Sequence, residues 1–257
     1  MLTESVKATA SYKRVPLTTV IPGKTYFAFE NKRGKISRAV NADLYRPKLA
    51  DWRRVTAALS SGNFKGLSED RITRAIYSAA ISFCVTIDLT RTGDQKTPGT
   101  YFEYLIGHLF ASRLDVNPST RLPVLNLDMD TTLPTDYVFD LGTGKPKFHL
   151  PIKTSTRERV IQVWAHQRVL DGVYGTGRFL GTPVILAETK TDQKTRKVVE
   201  ICLPLQWRLY QMHISQLKRV YYLDVPAAYA ALTGVFPPIH VAPFGRFFIE
   251  ATELSTA

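Results

Sequence analysis

The sequence predicts an α/β fold with a central mixed β-sheet flanked by helices. Two observations carry this. Apolar residues recur first at helical spacing and then at strand spacing, so a helical half precedes a mixed sheet with returning helices. The chain also has 257 residues and 44% hydrophobic content, enough for a sizeable core. No internal repeat or low-complexity block divides it. The expectation is one domain spanning 1–257, with 1–45 as a basic N-terminal arm or subregion and 97–223 as the functional core.

Residues 1–40 carry eight Lys or Arg against two Glu and read as irregular. Asn31-Lys32-Arg33-Gly34-Lys35 is an exposed turn. Such an arm is either solvated or lies along a phosphate backbone. Helices follow: one from Asp51 to Leu59, and a longer one opened by Ser68-Glu69-Asp70 and running to about Leu89. A third is opened by Thr97-Pro98, where proline suits the first helical turn. In the third, Phe102, Leu105, Ile106, Leu109 and Phe110 form a core-facing stripe, with Glu103 at its edge.

The period then changes. Tyr137 to Leu141 reads as a strand, Gly142-Thr143-Gly144-Lys145-Pro146 as a turn, and Lys147 to Lys153 as a second strand. Phe148, Leu150 and Ile152 share one face of that strand; His149, Pro151 and Lys153 share the other. A helix from about Thr156 to Leu170 comes next. Strands are expected at Pro183 to Ala187, Val198 to Leu203 and Val220 to Leu223, and helices at Leu205 to Leu217 and Pro226 to Leu232. Lys190, Lys194, Arg196 and Lys197 fall in a loop that either touches phosphates or is solvated.

Charge narrows the partners. Thirty-four basic against 22 acidic residues give a net +12, which favours a polyanion, most often nucleic acid. Cys84 and Cys202 fit no metal or redox spacing and sit in apolar runs, so free thiols in a reducing cytoplasm are expected. The five histidines form no helical HxxxH pair, which argues against zinc. No stretch reaches the uninterrupted apolar length of a membrane span, and the N-terminus has no signal-peptide core. Trp164 and Tyr221-Tyr222 read as core residues rather than base-stacking platforms.

The chemistry concentrates between residues 134 and 162. Hydrolysis of a phosphodiester calls for a hard divalent cation, usually Mg2+, held by oxygen ligands, and a lysine near the scissile phosphate steadies developing negative charge. Asp136 opens one hairpin strand and Lys153 closes its neighbour, so the two meet at one end of the sheet. Taken alone, Asp136 after a proline reads as a turn or cap residue, and Lys153 is equally well an exposed strand end. Asp140 lies roughly 13 Å further along an extended strand, too far to share an ion with Asp136.

Arg157, Glu158 and Arg159 open the next helix, whose N-terminus already favours phosphate. Arginine's fork matches the O6 and N7 acceptors of guanine, and glutamate accepts from the N4 amino group of cytosine. Gln162 lies one turn beyond Glu158 on the same face. Glu158 is also near enough to Lys153 in sequence to serve a metal instead, and both roles stay open.

The order Glu103, Pro134-Thr135-Asp136, Lys153 resembles the PD-(D/E)xK nuclease core. The run Lys153-Thr154-Ser155-Thr156-Arg157-Glu158-Arg159, with Gln162, is similar to one branch of it, the EcoRII-like type II restriction endonucleases that read CC- and GG-containing sites. The resemblance spans roughly residues 97 to 170. It implies a restriction-endonuclease-like core and a Mg2+-dependent, sequence-specific endonuclease of double-stranded DNA, acting as a cytoplasmic homodimer on a G·C-rich palindrome. Asp136, Lys153 and Glu103 would be catalytic, with Asp136 and Glu103 holding metal. Arg157, Glu158, Arg159 and Gln162 would contact DNA.

Two positions depart from the pattern. The acid of the (D/E)xK half-motif falls on Pro151. The branch instead carries an acid about thirteen residues beyond the lysine, and that count lands on His166, a poor ligand for magnesium. Glu103 is the substitute second ligand. Two rivals stand beside this reading: a structure-selective repair or recombination nuclease of the same core, and a non-catalytic basic DNA-binding protein.

Overall fold

The computed structural model describes residues 2–94, 96–124 and 131–256. Along the chain run α1 (Leu2–Ala10), β1 (Lys13–Thr19), β2 (Tyr26–Glu30), β3 (Val40–Asn41), α2 (Leu49–Ser61), α3 (Glu69–Thr90) and α4 (Lys96–Leu114). Then come β4 (Ser119–Pro123), β5 (Thr132–Asp140), β6 (Lys147–Leu150), β7 (Ile152–Lys153), a 3-10 turn (Arg157–Arg159) and α5 (Val160–Tyr174). The rest is β8 (Phe179–Gly181), β9 (Val184–Ile185), β10 (Thr189–Thr191), β11 (Lys197–Glu200), α6 (Pro204–His213), β12 (Val220–Tyr222), α7 (Ala227–Ala230), a second 3-10 turn (Ala231–Gly234), β13 (Val241–Pro243) and α8 (Gly245–Leu254).

The central sheet is mixed, as expected. One part has the order β4-β5-β6-β8 and the other β13-β12-β9-β7. They join because β6 runs into β7 and β8 into β9. The N–H groups of Thr182 and Val184 bond His149 O and Pro151 O across that junction. β5 is antiparallel to β6, whereas β6–β8, β7–β9, β9–β12 and β12–β13 are parallel. Parallel strands need both faces covered. α3, α4 and α8 bury one face through Phe102, Phe110, Phe247 and their neighbours, and α5 and α6 cover the other through Trp164 and Trp207.

α3 starts where the sequence places it, with Ser68 accepting the Arg71 N–H as N-cap and two acids in the first turn. The expectation that no segment is long and apolar enough for a membrane span is corrected here. By length and composition α3 qualifies, and 78% of its most apolar window is buried inside the protein. It is the helix at the centre of the larger core.

The N-terminal 40 residues are not an irregular arm. α1 packs on α3, and β1, β2 and β3 form a five-stranded sheet with the hairpin β10-β11, in the order β10-β11-β1-β2-β3. Polar bonds across the chain lock it in place. Lys24 Nζ lies 2.7 Å from Glu200 and 2.8 Å from Asp224, and donates to Val225 O. Tyr26 and Asn41 donate to the same buried Asp224 carboxylate. The basic loop expected at 190–197 is largely that hairpin, with Lys190 in β10 and Lys197 in β11. Also unforeseen are β4, β8, β13 and α8.

Candidate active site

Pro151 shapes the site. β5 and β6 pair with Tyr137 opposite Leu150, so the next residues outward are Asp136 and Pro151. Proline has no N–H for the ladder, and the expected strand from Lys147 to Lys153 breaks there into β6 and β7. The next N–H, that of Ile152, donates instead to Asp136 Oδ2 at 2.6 Å. Lys153 then leaves the sheet on the face opposite Ile152, and its Nζ donates to the same Oδ2 at 2.7 Å. The sequence paired these two residues across a hairpin, and the structure brings them into contact. Asp136 Oδ1 takes no hydrogen bond from the described residues.

Glu103 approaches from α4, which packs against β7. Burial pushes its carboxyl pKa up, the negative charge of Asp136 pushes it further, and Lys153 opposes both. The two acids therefore share one electrostatic field. Gly107, one helical turn beyond Glu103, permits this approach. A Cβ there would lie 2.4 to 2.9 Å from three ring atoms of Tyr137.

On the other face of the sheet, Pro134, Thr135, Asp136, Pro151 and Lys153 line a cleft of about 180 Å³ with Gln162, Val163 and His166 of α5. Gln162, expected to extend the base-reading face, is exposed and lines this cleft. The position thirteen residues beyond Lys153 is in the site, and it is His166. Burial lowers the His166 pKa, and Lys153 lowers it further. Beneath it, fully buried His149 is held down to about 4 by burial. Gln167 donates from Nε2 to Asp171 and Phe179 O, so its Oε1 accepts from His149 Nδ1 at 3.0 Å. Asp140 lies at the far end of β5, paired with Lys147 at 2.6 Å.

A divalent cation is testable against these donors. Two carboxylates near one another, with burial and the Asp136 charge raising the Glu103 pKa, suit a hard cation that takes oxygen ligands. Among the described residues no group of three or more His, Cys, Asp and Glu converges as a metal cage. The two carboxylates present, Asp136 and Glu103, are oxygen donors of the kind that a hard divalent cation takes.

Beyond Lys153 the chain turns through Thr154, Ser155 and Thr156 into the Arg157–Arg159 turn, which is 3-10 rather than the first turn of a longer α-helix. Arg157 and Arg159 are exposed, and Arg157 sits at φ +36°, in the left-handed region. The side chain of Glu158 lies outside the described residues. Sequence reasoning missed Glu188, the buried acid that holds this segment. Its signal was an acid directly after the apolar run 183–187. Cys84 and Cys202 are free thiols, the first buried and the second half-buried.

A central mixed sheet flanked by helices, as seen here, is the fold of a type II restriction endonuclease. The crystal structure of the type IIP restriction endonuclease Kpn2I matches it with a TM-score of 0.85 and 25% identity, over 98% of this chain and 88% of that one. The likeness thus takes in the N-terminal strands as well as the core. Restriction endonuclease PspGI in complex with substrate DNA aligns at a TM-score of 0.45 and 11% identity, over 72% of this chain and 76% of that one. No family model and no curated protein matches the sequence.

Proposed function

We propose that this chain is a Mg2+-dependent, sequence-specific endonuclease of double-stranded DNA. The observation that carries the reading is the contact of Lys153 with Asp136 in a cleft that α5 also lines, on a fold that matches a type II restriction endonuclease almost end to end. Asp136 and Glu103 would hold the ion, which when bound supplies a polarised phosphoryl oxygen and a hydroxide-like water. The Lys153 ammonium stands beside the scissile phosphate and steadies its developing charge. Arg157 and Arg159, exposed four and six residues further on, reach base edges, and Glu158 between them suits cytosine. This combination supports a G·C-rich, CC/GG-containing palindrome of the kind the EcoRII-like branch reads.

Cutting both strands of a palindrome calls for a homodimer. α6 offers an apolar stripe for it, with Leu205 and Leu209 76% and 54% exposed and Met212 in line one turn on. Two free thiols suit the cytoplasm. The test is incubation with plasmid DNA in Mg2+, with and without chelator, followed by sequencing of the ends. Discrete ends at one G·C-rich site, lost on chelation, support the reading. Cleavage confined to branched DNA, or binding without cleavage, overturns it.

A further inference from the structure

We propose that Glu188 is a positioning residue that sets the base-reading turn and so governs sequence discrimination; this rests on the endonuclease reading above. Glu188 stands just beyond β9 and is 1% exposed. Among the described residues, every bond to its carboxylate comes from an uncharged donor. Thr156 gives it both its N–H, at 2.9 Å, and its hydroxyl, at 2.5 Å, on Oε1. Ser155 Oγ donates to Oε2 at 2.9 Å, and Tyr222 Oη donates to Oε1 at 2.9 Å. None of the described Lys, Arg or His side chains forms an ion pair with it.

A buried carboxylate with this set of partners has a large solvation cost, met by four fixed donors. Three of the four belong to the two residues directly before Arg157. The backbone at Arg157, with φ +36°, is one that an L-residue adopts only when its surroundings impose it. Glu188 imposes it from one side, because Thr156 is clamped through both its main chain and its side chain. On the other side the Arg159 N–H closes the turn on Thr156 O at 2.8 Å. Without the clamp the turn relaxes, and the arginines lose the fixed aim that bidentate base contacts require.

The experiment compares wild type, Glu188→Gln, Glu188→Ala and Thr156→Val on duplexes carrying the cleaved site and each single-base substitution of it. Thermal melts run in parallel. Glu188→Gln keeps one acceptor oxygen in place, so it retains most of the discrimination. Glu188→Ala and Thr156→Val lower the ratio of cognate to substituted cleavage by about tenfold or more, the scale of one bidentate base contact. A purely structural role predicts lower activity on every duplex alike, with an unchanged ratio, and that result overturns the proposal. If Glu188→Ala does not fold, an unchanged ratio in Thr156→Val overturns it equally. Failure of the wild type to cut at a discrete sequence would instead remove the endonuclease reading itself.

Discussion

Gly107→Ala tests how the helical half of the chain serves the site. Gly107 lies in α4 against the Tyr137 ring, and a Cβ built there meets ring atoms at 2.4, 2.7 and 2.9 Å, where ordinary contact begins at 3.4 Å. The ring is 9% exposed and hemmed in by Phe139, so α4 must retreat by about 1 Å. Overpacking of this size costs about 1–3 kcal/mol. Alanine's better helix propensity returns up to about 1 kcal/mol, leaving a net loss of about 0–2 kcal/mol. In a chain of this length that lowers Tm by about 8 °C at most. Glu103, the proposed second metal ligand, moves with the helix. If it holds the ion, a displacement near 1 Å costs about a hundredfold in rate, far more than the loss of stability implies. Gly99→Ala is the control, since a Cβ at that position of the same helix meets nothing within 4 Å. It should keep its activity and melt no lower than wild type. Differential scanning fluorimetry and single-turnover cleavage give the two readouts. A Gly107→Ala protein that cleaves at the wild-type rate would show that the position of Glu103 does not matter.

Three further outcomes are expected. Asp136→Asn and Lys153→Ala abolish cleavage while melting near wild type, and Asp140→Ala, whose partner Lys147 lies at the far end of the hairpin, cleaves normally; a cutting Lys153→Ala protein would reject the site. His149 stays neutral in the fold down to about 4, while in the unfolded chain it protonates near 6.5, so the unfolded state binds the extra proton in that window. Stability therefore falls as pH drops from 6.5 to 4, by about 3 kcal/mol, and His149→Asn flattens that part of the curve in urea titrations; an unchanged slope would contradict it. Leu205→Glu with Leu209→Glu should convert a sedimenting dimer into a monomer that nicks rather than breaks DNA, and a wild type that is already monomeric would remove α6 as the contact.

Much of the core was legible because its cues are local. Ser68 caps α3 where a serine precedes two acids, and the stripe on α4 is buried as spaced, with Leu105 at its margin. Alternation along Lys147 to Lys153 told core face from site face correctly: Phe148, Leu150 and Ile152 are buried in the main core. The N-terminal sheet was not legible. β1 alternates in and out over only Arg14 to Thr18, with a proline at Pro16 that argues against a strand in sequence, and its neighbours β2 and β11 are held by register and by the bonds of Lys24 to residues about two hundred positions away. At 190–197 the density of charge concealed a hairpin whose inward residue, Val198, is buried. Within the site, Asp136 and Lys153 were legible as a pair. Pro151 read as a lost acid when its effect is to free the Ile152 N–H for Asp136, and Glu188 carried no motif.

The same adjacent strand holds both Lys153 and the turn proposed to read bases. Leu186 N–H bonds Lys153 O at 3.0 Å and Ala187 N–H bonds Thr154 O at 3.3 Å. The next residue, Glu188, clamps Ser155 and Thr156. A continuous run of bonds thus links Lys153, the proposed catalytic lysine, to the residue before Arg157. If the proposed roles hold, a wrong base that displaces the arginines pulls on a segment whose other end is Lys153, four residues away, and misfit at the base edge arrives at the reacting phosphate as misplacement of the ammonium. Discrimination built this way falls on the cleavage step more than on binding, because a displaced lysine still attracts phosphate but no longer meets the developing charge. Substituted sites should therefore lose more in kcat than they gain in KM, and the Glu188→Ala protein should lose that asymmetry.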